Sequence, residues 1–127
     1  MRHRIAVIGA AATIVFAAGC ATMAAPDGVQ ASGGVLTNRA GMTLYVFDKD
    51  PTGAGKSVCN GGCAMHWPPL MASAGAHASG NWTIITRDDG ARQWAYKGKP
   101  LYLWVKDHNP GDMTGEGFHG VWHVARQ

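Results

Sequence analysis

The sequence predicts an all-β fold: a small single domain of about six strands, built from two hairpin-containing repeats in a compact sandwich or barrel-like arrangement. Three observations lead there. Short β-branched and aromatic runs are separated by Gly, Pro, Asn and Asp clusters. No segment carries a 3.6-residue apolar period long enough for an amphipathic helix. The chain also repeats itself: "GMTLYVFDKDPTG" laid over "GKPLYLWVKDHNPG" matches Gly41 with Gly98, Leu44 with Leu101, Tyr45 with Tyr102, Phe47 with Trp104 and Asp50 with Asp107.

The first element is a leader. Arg2 and Arg4 precede an uncharged run from Ile5 to Ala18, and small residues follow, so residues 1–19 read as a secretory signal peptide. The run is shorter than the roughly 20 residues a spanning helix needs. "AAGC" resembles the bacterial lipoprotein signal, in which Cys20 becomes the acylated first residue of the mature chain. Ala17 stands where Leu is usual, which leaves ordinary cleavage near "ATMAA" open. Residues 20–34 are small and polar and read as the lipidated cysteine and a flexible tether. The β domain is then 35–127, with repeat 1 over 35–70 and repeat 2 over 82–125.

Without its leader the chain holds nine basic and eight acidic residues, against a formal +3 for the whole. No block of like charge remains to draw nucleic acid or an anionic membrane surface by charge alone. Abundant glycine and five tryptophans point instead to a turn-rich domain with large aromatic anchors.

Strands are expected at Val35 to Asn38, Thr43 to Asp48, Trp82 to Arg87, Arg92 to Tyr96, Leu101 to Val105 and Gly120 to Ala125. "AYKGKPLYLW" reads as a tight hairpin turning at Gly98, with "NRAGMTLYVF" its counterpart and Asp88-Asp89-Gly90 a further turn. One helical turn is expected around Ala64 to Trp67, ended by Pro68. Trp67 and Trp122 fall at matching places in the two copies.

Strand alternation puts Tyr45 and Phe47 on one face and Leu44 and Val46 on the other, and Tyr102 and Trp104 repeat this against Leu101 and Leu103. Both faces are apolar, so both strands should be central. Asp50 and Asp107 lead into prolines and read as turn residues accepting backbone N–H groups in Asx-turns. The functional alternative is a groove in which these rings stack on an envelope sugar or peptide and the carboxylates accept its hydrogen bonds.

Three cysteines in an exported chain are accounted for if Cys20 is acylated and Cys59 pairs with Cys63 in a disulfide. The bridge would close a loop of five residues in the first copy only. Spacing speaks against a C-x-x-C redox site or a C-x-x-C-H haem attachment. The chemical alternative is a periplasmic metal-handling (copper or zinc) or redox protein that uses the loop of Cys59, Cys63, Met65 and His66. His119 and His123, read as one strand, would lie about 13 Å apart, too far to share an ion. No G-x-S-x-G, H-E-x-x-H or phosphate-cradling loop occurs, so no enzyme, catalytic residue or cofactor is expected.

The doubled Y-x-[FWY]-x-x-D, as "YVFDKD" and "YLWVKD", with "CNGGCAMHWPPL" between the copies, closely resembles the bacterial predicted lipoproteins called the secreted repeat of unknown function. The resemblance spans approximately Gly33 to Ala125. It implies an exported, usually lipid-anchored repeat protein and brings no activity with it. The expectation is thus a non-catalytic envelope protein at the periplasmic or outer surface. Its partners would be the membrane, through the lipid on Cys20, and an envelope protein or glycan.

Overall fold

A computed structural model describes residues 25–127 and, from the leader, Gly9 alone. The expected signal peptide and Cys20 lie outside the described residues. The elements run β1 (Val29–Ser32), β2 (Val35–Asn38), β3 (Tyr45–Phe47), a short helix α1 (Gly62–His66), β4 (Trp82–Thr86), β5 (Arg92–Tyr96), β6 (Lys99–Pro100), a 3-10 turn (Phe118–Gly120) and β7 (Trp122–Val124). They make three small antiparallel sheets, β1-β2, β3-β7 and β4-β5-β6. The domain is therefore all-β but not a closed barrel. Its strands are too short, and too often broken by Gly and Pro, to hold one continuous ladder.

The β domain starts earlier than expected. Val29–Ser32, assigned above to the tether, pairs along its length with Val35–Asn38 across Gly33 and Gly34. Both glycines have positive φ, 58° and 84°, which a two-residue hairpin turn requires. The β5-β6 turn is built alike, with Lys97 at φ 48° and Gly98 at φ 81°. A Cβ on Gly98 would meet the Gly53 nitrogen at 2.9 Å, so this position also needs glycine for the close approach.

Two expected strands are curtailed. Leu101 to Val105 forms no strand, with Tyr102 alone in bridges and Val105 already in a turn, because its partner segment holds Pro68 and Pro69, which have no N–H to give. Between these two segments the ladder is reduced to Leu70 N–H to Leu101 O (2.9 Å), Leu103 N–H to Pro68 O (2.7 Å), Val105 N–H to His66 O (3.1 Å) and a bridge between Pro69 and Tyr102. At the C-terminus His119 has φ 50° inside the 3-10 turn, so it does not share a strand with His123.

The two copies are interlocked. Tyr45 N–H donates to Tyr102 O at 2.8 Å and Tyr102 N–H to Tyr45 O at 2.9 Å, joining equivalent residues. The end of each copy then crosses to the other. Leu70 N–H donates to Leu101 O and Trp94 N–H to Leu70 O; correspondingly, Ala125 N–H donates to Leu44 O and Leu36 N–H to Ala125 O, all at 2.8–2.9 Å. Each half is thus completed by the terminal segment of its partner.

As the alternation predicts, Leu44, Tyr45, Leu101 and Tyr102 are wholly buried. Leu44 and Leu101 enter a core with Val29, Leu36, Trp82 and Trp94. Tyr45, Phe47, Tyr102 and Trp104 enter a second, with Trp67 and Trp122.

Candidate functional site

The repeated motif serves the junction between the halves. Tyr45 Oη donates to Asp107 Oδ2 at 2.6 Å, and Tyr102 Oη donates to Asp50 Oδ2 at 2.5 Å. Each tyrosine therefore bonds the aspartate of the other copy. The second carboxylate oxygens hold the following loops: Asp50 Oδ1 accepts Val58 N–H (2.8 Å), and Asp107 Oδ1 accepts the N–H (3.0 Å) and hydroxyl (2.6 Å) of Thr114. These reaches of eight and seven residues replace the local Asx-turns expected from sequence. Burial, reinforced by the facing carboxylate, pushes both phenols well above the ordinary tyrosine range, so they remain donors.

Around Tyr102 the network continues to a buried cation. Ser57 Oγ accepts from Arg87 Nη1 (3.0 Å) and from Cys59 N–H (3.1 Å). Its own proton is then directed to Tyr102 Oη, 2.6 Å away, and the phenol passes its proton toward Asp50. Arg87 also donates to Gln93 Oε1 and Cys59 O, so the guanidinium ties β4 to the disulfide loop. Ser57, Arg87 and Gln93 are missed by sequence reasoning. An arginine at the end of an otherwise apolar strand was the available signal.

The aromatic members stack into a column. Trp104 lies on Trp67 (centroids 4.0 Å apart, 23° between planes), Trp67 on Trp122 (3.8 Å, 3°) and Trp122 on Phe47 (4.2 Å, 10°). Tyr45 meets Trp67 edge-on, as Tyr102 meets Trp122. The matched tryptophans of the two copies are thus face to face at the centre. The alternative of a groove lined by tyrosine and aspartate does not hold, because Tyr45, Tyr102, Asp50 and Asp107 are buried against one another. Of the motif, Trp104 borders a cleft.

That cleft, about 430 Å³, opens between α1 and the 3-10 turn, with Cys63, His66, Trp104, Lys106, Phe118 and His119 among its walls. Cys59 and Cys63 are joined in a disulfide, with Cα atoms 5.2 Å apart. Cys59 is fully buried, and Cys63 packs against the aromatic core. The four residues of the metal alternative do not form a ligand set. Both sulfurs are spent in the bridge, the Met65 side chain is out in solvent at 76 % exposure, and His66 Nδ1 donates to Gly62 O at 2.8 Å. Among the described residues no three His, Cys, Asp or Glu side chains gather closely enough to hold an ion.

His123 sits apart from the cleft, on the outside of β7. Its Nε2 is 2.9 Å from Asp48 Oδ2 and its Nδ1 is 3.4 Å from Glu116 Oε1. Those two carboxylates raise its pKa. Glu116 also accepts Val124 N–H, the main cause of its own lowered pKa.

The family described as secreted repeat of unknown function matches the chain twice, over residues 29–71 and 83–126. The chain belongs to this family. In this secreted repeat protein the two matched segments are the two interlocked halves, the first opening with β1 and the second running through β4 to the end of β7. The family description also makes it an exported protein. No curated protein and no solved structure matches the chain.

Proposed function

We propose that the protein is a non-catalytic lipoprotein of the cell envelope, held at the periplasmic or outer surface by an acylated Cys20, whose domain binds another envelope component through its aromatic cleft. One observation carries the binding role. The repeated polar side chains are consumed inside the body, each motif phenol on a motif carboxylate, while the cleft beside them, with the buried Trp104 at its base, presents Lys106, His119 and the half-buried Phe118 to a ligand. Supporting the anchor is the "AAGC" boundary after an apolar run, only a few residues before β1 begins at Val29.

Native mass spectrometry of protein extracted from its own host's membranes tests the anchor and the bound state together. The expected species starts at Cys20, carries acyl mass and lacks two hydrogens for the Cys59–Cys63 bridge. Cys20→Ala should move it to the soluble fraction. A soluble wild-type chain without acyl mass, cut near "ATMAA", would overturn the anchor. Turnover of a substrate by the purified domain would overturn the non-catalytic role.

A further inference from the structure

We infer that the aromatic cleft is a binding site for a small planar aromatic anion, such as an aromatic carboxylate, its ring against His119 and Phe118 and its charge on Lys106. This rests on the reading above that the cleft binds a ligand, and it names the ligand class. The cleft continues into a neighbouring one of about 620 Å³, and the two share Trp104, Lys106 and Phe118. Those three residues therefore stand at the middle of one trough. The Phe118 and Trp104 rings lie 4.9 Å apart at 49°, and the exposed His119 stacks on Phe118 at 4.1 Å and 13°, so a wall of the trough is built from the half-buried Phe118 and the outer face of His119, with Trp104 buried behind it.

The polar lining selects the charge. No Asp, Glu, Asn or Gln belongs to either cleft; apart from histidines, the only polar side chains are those of Lys106 and Thr114. The carboxylates near Lys106 and Phe118 in sequence are committed elsewhere, Glu116 to Val124 N–H and His123. Asp107 faces inward to Tyr45 and Thr114, and Asp112 accepts the backbone N–H groups of His108 and Asn109. Lys106 is exposed, with Nζ 6.0 Å from the centroid of the Trp104 ring. An exposed cation in a trough walled by aromatic rings suits a ring that bears an anion. Sugar recognition ordinarily draws on carboxylate and amide side chains, and the trough has none to offer a glycan's hydroxyls.

The test is an NMR titration of the mature protein, following the indole N–H signals, with three probes of one ring system: 1-naphthoate, 1-naphthalenemethanol and 1-naphthylmethylamine. Trp104 and its stacked neighbours should shift while Trp82 and Trp94 stay still. Naphthoate should bind about tenfold more tightly than the alcohol, the scale of one charge-assisted hydrogen bond at a partly open site, and the amine most weakly. Lys106→Gln, on an exposed side chain, should leave the spectrum folded and reduce naphthoate to the affinity of the alcohol. Equal affinities, or a naphthoate affinity unchanged by Lys106→Gln, would overturn the anion and leave the cleft as a neutral aromatic site. Shifts centred on Trp82 and Trp94, or none with any probe, would overturn both the anion and the binding role of the cleft.

Discussion

Replacing Tyr102 by Phe removes one oxygen from the centre of the molecule. That oxygen donates to Asp50 Oδ2 at 2.5 Å and receives the Ser57 hydroxyl at 2.6 Å, within a fully buried side chain. A hydrogen bond to a charged group contributes about 1.5–3 kcal/mol, and a buried acceptor left without its donor adds a desolvation cost. Asp50 keeps Val58 N–H on Oδ1 but loses its Oδ2 partner at 2 % exposure, and its link to Arg87 through Ser57 is broken. The expected loss is about 2–4 kcal/mol, a large share of the ~5–15 kcal/mol that holds a domain together. For a domain near 100 residues this lowers Tm by roughly 10–25 °C.

Tyr45→Phe should cost a similar amount, about 2–4 kcal/mol: Asp107 Oδ1 keeps two donors from Thr114, but Oδ2 loses its donor and the buried Gly115 N–H loses its acceptor, 3.2 Å away. Tyr96→Phe is the control: this phenol makes no protein hydrogen bond among the described residues, and the change should stay within ~0.5 kcal/mol. Urea unfolding followed by tryptophan fluorescence gives all three values, provided the denaturant slope is unchanged. A Tyr102→Phe protein within about 0.5 kcal/mol of wild type would refute the clasp between copies.

Three further outcomes follow from the same geometry. A Cβ on Gly115 would sit 2.7 Å from Trp67 Cη2 and 3.0 Å from Tyr45 Cε1, so Gly115→Ala should destabilise by about 1–3 kcal/mol in chemical unfolding; Gly62→Ala, in open space within α1, should be neutral or slightly stabilising. Reducing the Cys59–Cys63 bridge frees only a short loop in the unfolded chain, so thermal melts with and without reductant should differ by about 2 kcal/mol and the reduced protein should stay folded. His123 is raised by Asp48 and Glu116, so the stability it adds is complete below its unfolded pKa and fades as pH rises through the folded one; NMR titration should place it above the ordinary histidine value and show it falling back in Asp48→Asn and in high salt.

Much of this architecture is written in local chemistry. The Tyr45 and Tyr102 strands declare two buried faces through unbroken apolar alternation, and the turns at Gly90 and Gly98 announce their hairpins. The disulfide follows from compartment and spacing. β1 was hidden because only Val29 of its four residues is buried, so its pairing is a backbone matter with no apolar pattern to reveal it. The exchange between halves was hidden for a different reason: the alignment that matches Tyr45 with Tyr102 and Asp50 with Asp107 is the same whether each tyrosine bonds its own copy's aspartate or the other's. The cleft was illegible because Lys106, Phe118 and His119 come from loops with no periodicity, brought to Trp104 by the tertiary fold.

The central claim is that the two copies form one interlocked unit rather than two modules side by side. Native-state hydrogen exchange measures this directly, through the amides of Leu36, Tyr45, Trp94, Tyr102 and Ala125, which bond across or beside the junction. Because each half is closed by the other's terminal segment, all five should exchange through the same global opening, with one free energy and one denaturant dependence. Exchange of Trp94 and Tyr102 through a lower-energy opening, with Leu36 and Ala125 still protected, would contradict it.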